Sequence, residues 1–185
     1  KFTTGTASSR EAVALALVRK HSATDVKVNL LWGNPSNTRR ADIMQLVRAA
    51  GKRAGFEVNA PGVQGWSSKL ADSEWDAQHI AWGKTALDQK GNASLYCTVC
   101  PSNYLGNSNA KIDAAEKKLG AAPLSSSQRL EQYTIIEKEL YNDVVTLPIV
   151  QFPEVTGANA KLQNVKPGPL SPQIVWNYWE WRYTN

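Results

Sequence analysis

Helical and strand patterns of hydrophobic residues alternate over the first 60 positions. Apolar residues at helical spacing predict a helix over about 9–21. Ser8 and Glu11 stand at the spacing of a capping box, in which the two side chains satisfy free N–H groups at the start of a helix. We expect Val13, Leu17 and their apolar neighbours to supply one buried face of this helix.

A period-two run predicts the first strand. Val26, Val28, Leu30 and Trp32 alternate with the residues between them, and the run stops at the turn-forming sequence 33–35. Ser36 or Asn37 can cap a second helix that ends at Gly55, and a short strand resumes over 56–58. Its apolar stripe is expected to comprise Ile43, Val47, Ala50 and Ala54. Right-handed crossover makes the two strands of this β-α-β unit parallel.

The middle of the chain is less regular. Residues 75–83 are typical of another strand, which ends in glycine. A polar stretch rich in turn-forming residues follows over 84–108. Loops of this length within compact domains are usually functional, so we expect a ligand site here.

Two helices and an arm complete the predicted elements. Asn109 can cap a helix to Gly120, and Ser125 begins a longer helix; both are expected to pack on the sheet. One face of the longer helix is expected to comprise Leu130, Tyr133, Ile136 and Leu140. The run 147–153 predicts a strand leaving the packed lobe, and the aromatic segment 176–181 lies in the irregular arm beyond it.

Composition favours an ordinary soluble domain. The 185 residues are 42% hydrophobic and 20% charged, and no apolar run approaches the roughly 20 residues that span a bilayer. The N-terminus carries no signal-peptide core, so if the protein is exported, its export signal is expected outside this chain. Although the net charge is +5, no basic run interleaves with aromatic residues, and we expect no nucleic-acid partner.

The two cysteines are the one feature that favours chemistry. Cys97 and Cys100 have the spacing of a redox pair, which can cycle between dithiol and disulfide. They lie deep in a polar loop followed by Pro101, so a local structural disulfide is favoured. His21 and His79 have no partner at metal-site spacing. No hydrolase or phosphate-loop motif is present, and we expect a non-enzymatic protein without metal or cofactor.

The order of these parts resembles the C-terminal part of a family 5 extracellular solute-binding protein, the peptide-type receptor of ABC importers. The resemblance is carried by the 26–32 strand, the helix ending in Ala-Gly-Phe-Glu-Val at 54–58, the Ala-Trp-Gly strand end at 81–83, the helix around 129–137 and the Leu-Pro-Ile run at 147–149. It covers nearly the whole chain.

The resemblance implies an α/β, periplasmic-binding-protein-like lobe with an irregular C-terminal arm. Residues 1–150 would form the C-terminal ligand-binding lobe. Residues 151–185 would return through the hinge and pack on an N-terminal lobe of the same polypeptide. The protein would capture oligopeptides or similar polar solutes and deliver them to membrane permease subunits. It would act outside the cytoplasm, in the periplasm or on a lipoprotein anchor beyond this chain.

The resemblance also implies ligand-binding positions. Trp82 and Gly83 occupy the Trp-Gly position of the family, and many peptide receptors have an aspartate three residues after that Trp to pair with the peptide amino group. Thr85 stands there, after Lys84, so free-amino peptides are less favoured and a carboxylate could be attracted.

Further candidates for ligand contact are Trp32, Asn34, Asn103 and Tyr104, each of which also suits a turn or core position. Two other functions stay open from the sequence. One is a thiol-disulfide oxidoreductase using Cys97 and Cys100. The other is an interaction module that docks through the Trp-rich tail.

Overall fold

The structure is a computed structural model that describes residues 4–82, 95–121, 123–151, 155–168 and 174–184. The chain divides into two compact units, Lys1–Ala81 and Trp82–Asn185. Each unit is described by itself. The boundary expected near residue 150 stays a prediction.

The first unit is organised around strand β1, Val26–Gly33. It pairs in parallel with β2 (Phe56–Asn59), β3 (Gly62–Val63) and β4 (Ala77–His79), which confirms the parallel β-α-β unit. Trp32 pairs with both Gly62 and His79, so β3 and β4 flank the end of β1 on opposite sides.

Strand β4 is shorter than the run 75–83 predicts. Asp76 precedes it and binds the main chain of Asn29: its Oδ2 accepts from Asn29 N at 2.8 Å, and its own N–H donates to Asn29 O at 2.9 Å. The carboxylate of Asp76 thus occupies the main-chain N–H of Asn29, which a longer strand would use for pairing. Gly83, the predicted strand end, lies outside the described residues.

Helix α1 is Ala7–His21, and helix α2 is Thr38–Arg53. Of the two predicted caps, Ser36 and Asn37, it is Asn37 that caps helix α2. Gly55 follows the C-cap residue Ala54, and its φ of 88° is a left-handed conformation that glycine adopts without strain. Met44 is 1% exposed and joins the expected stripe in the core. That core cluster comprises Trp32, Met44 and Ala60, with Leu30, Ala41, Ile43, Val47 and Val58 packed against it.

The predicted cap and buried face of α1 are wrong. Thr6 is the N-cap, and its Oγ1 accepts from Ser9 N at 3.2 Å. Glu11 instead accepts two hydrogen bonds from Arg53 on α2, at 2.7 and 2.8 Å. That pairing is consistent with the observed rotation of the helix, which leaves Val13 57% and Leu17 43% exposed.

The second unit contains a pair of helices, α3 (Ala110–Ala121) and α4 (Ser126–Asn142), that pack on each other. The predicted caps are confirmed: Asn109 Oδ1 accepts from Lys111 N at 2.9 Å, and Ser125 forms a capping box with Gln128. Their shared core comprises Ile112, Ala115, Leu119, Ile136 and Leu140. Packing of these helices on the sheet stays a prediction.

Leu130 does not join this core, contrary to prediction, and is 66% exposed. Gln132 is buried on α4 instead, at 4% exposure, and Leu124 from the preceding loop packs against the cluster. A polar residue therefore takes a core position that hydrophobic periodicity could not identify.

The strand predicted over 147–153 is absent from the described part of that run. Residues 145–151 form no strand, Leu147 is 82% exposed, and Phe152 and Pro153 lie outside the described residues. Pro148 has no N–H to donate to a ladder, and none of the described strands pairs with this segment.

The arm carries a small folded element of its own. Strands β5 (Leu162–Gln163) and β6 (Arg182–Tyr183) pair antiparallel around the segment Ile174–Glu180, two short 3-10 pieces separated by a kink at Asn177. Asn177, fully buried at its centre, donates to Asn164 O at 2.7 Å and accepts from Trp181 Nε1 at 3.0 Å.

Met44→Ala is expected to lower the free energy of unfolding by about 2–4 kcal/mol, because it leaves a cavity beside Trp32. Leu46→Ala is a matched control on the same helix, since Leu46 is 71% exposed, and should change it by less than about 0.5 kcal/mol. Urea unfolding followed by circular dichroism measures both. Equal losses would contradict the described register of α2.

Candidate functional site

A cluster of charged and aromatic side chains lies where β1 ends. The Trp66 ring rests on Gly33, the last residue of the strand. A Cβ built at position 33 would lie 1.8 Å from Trp66 Cδ1, so only glycine permits this close approach. Trp66 belongs to a short 3-10 helix that follows β3, at Trp66–Lys69.

Arg40 is fixed over this ring. It stands in the first turn of α2, its Nη1 donates to Gly33 O at 3.0 Å, and its guanidinium carbon lies 5.8 Å from the Trp66 ring centroid. That distance is within the range of a cation–π contact. Arg40 forms no ion pair with an acidic residue that the structure describes, so its charge is held in place but not neutralised.

His79 brings a titratable group to the same edge, because β4 places it opposite Trp32 on β1. The side chain is half-buried. Burial lowers the pKa of His79 below its ordinary value, and the positive charges of Arg40 and Arg39 lower it further. The neutral imidazole is therefore favoured near pH 7, and both arginines act on the space around it.

This arrangement suits a negatively charged ligand group. The carboxyl ends of parallel strands form the usual ligand-binding edge of α/β sheets. Here that edge carries the guanidinium of Arg40 and the imidazole of His79, which would gain positive charge if an anion bound beside it. We name Gly33, Arg40, Trp66 and His79 the strand-end cluster.

The two candidate residues from the first strand have structural roles. Trp32 is 5% exposed, and its Nε1 donates to Ala60 O at 2.7 Å within the core. Asn34 has a positive φ of 59°, and its Oδ1 accepts from Ser36 Oγ at 3.0 Å in the turn before α2. Both therefore support the edge on which the strand-end cluster lies.

The remaining candidates lie in the second unit or outside the described residues. Trp82, the first residue of that unit, is 50% exposed. Gly83, Lys84 and Thr85 fall outside the described residues. Asn103 and Tyr104 lie in the turns that precede α3, and the structure brings them into one unit with Trp82 but not with Trp32 and Asn34.

Asn103 holds a compact turn together. Its Nδ2 donates to Cys97 O at 3.0 Å and to Asn107 O at 2.7 Å, and its Oδ1 accepts from Asn107 N at 3.1 Å. Cys97 and Cys100 form a disulfide within this turn. Tyr104 is 37% exposed at its rim.

The same turn is tied to helix α3. Asp113 accepts from the main-chain N–H of Thr98 and from its hydroxyl, both at 2.7 Å, and these hydrogen bonds lower the pKa of Asp113. With its side-chain amides satisfied internally, this segment is built as a rigid turn.

Sequence reasoning missed Arg40 and Trp66, and it considered His79 only as a metal ligand without a partner at motif spacing. Arg40 follows Arg39 close to the start of the second predicted helix. Its position in the first turn of the helix after a strand was the available signal, because that turn lies at the carboxyl edge of a parallel sheet. Trp66 carried no sequence signal of its own.

No protein-family model matches the chain, and no curated protein is similar to it in sequence. Solved structures do match. The oligopeptide-binding protein AppA from Bacillus subtilis, in complex with a nonapeptide, is 16% identical with a TM-score of 0.65, covering 95% of this chain and 38% of that one. NikZ from Campylobacter jejuni, in complex with Ni(L-His), is 14% identical with a TM-score of 0.66, covering 98% and 40%.

A third structure is the ABC transporter substrate-binding protein CtaP from Listeria monocytogenes, which is 17% identical with a TM-score of 0.60, covering 78% and 30%. The chain thus spans between 30% and 40% of the length of these three structures. Its fold is that of part of a solute-binding protein, an α/β lobe with a C-terminal arm, as the resemblance implied.

No described helix has the length and apolar character needed to cross a bilayer. Within the same part of the chain, no group of three or more His, Cys, Asp or Glu side chains could hold a metal ion.

The lowered pKa of His79 gives the stability a defined pH dependence. Between that lowered folded pKa and the ordinary value of 6.5, the unfolded chain binds more protons than the folded one. The contribution of His79 to the free energy of unfolding should therefore be largest above about pH 6.5. It should decrease as the pH falls through this window.

His79→Gln should remove this part of the slope in urea unfolding at pH 5 and 7.5, whereas His21→Gln on the exposed end of α1 should retain it. NMR titration of the His79 imidazole tests the cause directly. A midpoint at or above 6.5 in the folded chain would contradict the described environment.

Proposed function

We propose that the chain is the C-terminal part of the substrate-binding component of an ABC importer. The observation that carries the proposal is the fold, shared with solute-binding proteins over as much as 98% of the chain. Such a component binds its ligand outside the cytoplasm, closes around it by a hinge motion and delivers it to membrane permease subunits. No bond is made or broken.

In this proposal residues 1–150 belong to the ligand-binding lobe and residues 151–185 return to a second lobe. The exposed aromatic residues of the arm support it, since Tyr178 and Trp179 are each 66% exposed and contact each other edge to face. Exposed apolar surface of this kind usually marks an interface. In this proposal the covering lobe corresponds to the part of the matched structures that this chain does not span.

The solute class we propose is a polar solute with a carboxylate, such as an oligopeptide bound through its C-terminal carboxylate. Arg40 supports this choice because its guanidinium is pre-positioned and carries no described counter-ion. Thr85, where many peptide receptors have an aspartate, provides no charge for a free amino group. Trp82, Gly83, Lys84 and Thr85 stay proposed as ligand contacts from the family resemblance alone, independently of Arg40.

Arg40→Gln is expected to weaken binding of a carboxylate solute about ten- to hundredfold, because a charge-assisted hydrogen bond is lost. Lys52→Gln removes an equal charge from the exposed far end of α2 and should leave affinity unchanged. The first measurement is a thermal-shift and calorimetry screen of a polypeptide with both lobes against di- to hexapeptides, their C-terminal amides and sugars.

We expect peptides to raise the unfolding temperature. The shift should be smaller with the C-terminal amides, and smaller with the Arg40→Gln variant. Equal shifts with acids and amides would contradict the carboxylate assignment. No shift with any solute class would contradict the transport proposal.

The alternative, a thiol-disulfide oxidoreductase, is not favoured by the geometry. Redox-active pairs of this spacing have a thiolate stabilised at a helix N-terminus or beside a cation. The described contact between the Cys97–Cys100 turn and α3 instead runs from Thr98 to the carboxylate of Asp113, a negative group that disfavours a thiolate beside it. Cys97 O accepts from Cys100 N at 3.0 Å.

Replacing Cys97 and Cys100 with serine should therefore leave solute binding largely intact. The unchanged chain should show no more insulin reduction than this double variant, since neither contains an activated thiolate. Insulin turbidity with dithiothreitol measures this. Reduction by the unchanged chain that the double variant lacks would favour the oxidoreductase.

A further inference from the structure

A cleft of about 330 Å³ lies between α3 and α4 in the second unit. It shares no residue with the strand-end cluster. Its walls combine lysine side chains, a buried amide and apolar carbons, and its volume suits a small ligand.

The floor of the cleft contains an unsatisfied acceptor. Gln132 lines the cleft and is 4% exposed, and its Oε1 is buried with no hydrogen-bond partner among the described residues. A buried acceptor without a donor costs free energy, and such groups in folded proteins usually have a partner. A ligand with an N–H or O–H group would supply the missing donor.

The rim of the cleft is positively charged. Lys118 and Lys138 form no ion pair within the described part of the chain, and Lys111 Nζ lies 3.0 Å from Glu139 Oε1. The hydrogen bond from Lys111 lowers the pKa of Glu139, and the charge of Lys138 lowers it further. The three lysines thus outnumber the single carboxylate of the cleft.

A neighbouring acid does not cancel this charge. Glu116 on α3 is 7% exposed, and both of its carboxyl oxygens are buried without a partner among the described residues. Burial raises the pKa of Glu116, because the charged form loses hydration. Burial thus disfavours the anionic form of Glu116, which is the form that would oppose a bound carboxylate.

Apolar carbons complete the walls, from Ala114 on α3 and Ile135 on α4. We propose that the cleft binds a small carboxylate that also carries an N–H or O–H donor and a short apolar group. The carboxylate would lie between Lys118 and Lys138. The donor would reach Gln132 Oε1, which is closed to the cleft in the structure, after rotation of the Gln132 side chain. The site is independent of the proposed transport function.

The probes separate these features. N-acetylalanine carries a carboxylate, an amide N–H and methyl groups, acetate carries the charge without the donor, and N-acetylalaninamide carries the donor without the charge. Titrations of the full chain are followed by NMR shifts of α3 and α4 amides. N-acetylalanine should bind with a dissociation constant on the order of 1 mM, and the other two at least about fivefold more weakly.

Lys118→Gln with Lys138→Gln should weaken N-acetylalanine binding about tenfold, whereas Lys117→Gln, an exposed α3 residue outside the cleft, should not. Gln132→Met should weaken binding about fivefold or more while leaving the unfolding midpoint unchanged or raised, because it removes a buried unsatisfied oxygen.

Arg40→Gln should have no effect on these shifts, so failure here and failure of the transport proposal are distinguishable. Equal binding of acetate and N-acetylalanine would overturn the proposed site. The same conclusion follows if no probe shifts α3 and α4 amides, or if the lysine and Gln132 variants bind as the unchanged chain does.

Discussion

The parallel pairing of β1 underlies both the fold and the candidate site of the first unit. Every other strand of that sheet is hydrogen-bonded to β1, and its last three residues are buried. Trp32, near the end of β1, is held in the core by the hydrogen bond from its Nε1 to Ala60 O. One residue later, Gly33 receives both the Trp66 ring and the Arg40 guanidinium. The end of a single strand therefore determines where the charged and aromatic groups meet.

Polar groups in the second unit fall into two sets. Asn103 and Asn177 are satisfied by their own surroundings and hold a turn and the arm together. Gln132 and Glu116 are as deeply buried as Asn177 is, within a few percent, yet have oxygens without described partners. Buried polar groups with partners rigidify a fold, whereas those without partners identify where a further donor is required. Gln132, which lines the proposed cleft, therefore differs from Asn103 and Asn177, whose roles are structural.

The candidate site was only partly accessible from the sequence. Segments following strand ends could be identified, which is why Trp32, Asn34 and Trp82 were named. The residues that form the strand-end cluster come from a helix start, a 3-10 helix and a separate strand, at positions 40, 66 and 79. Their proximity depends on the crossover and on the close approach of the Trp66 ring to Gly33, which a Cβ at position 33 would prevent. No spacing of residues along the sequence indicates that these three positions lie close together.

Local physical chemistry in the sequence determined the first strand, the caps at Asn37, Asn109 and Ser125, and the parallel β-α-β unit, because period and capping are properties of neighbouring residues. Tertiary structure decided the rest. The observed face of α1 accompanies the Glu11–Arg53 contact, and the described part of the strand expected over 147–153 has no described partner. Which face is buried and which segment pairs depend on distant parts of the chain, and a periodic pattern carries no information about them.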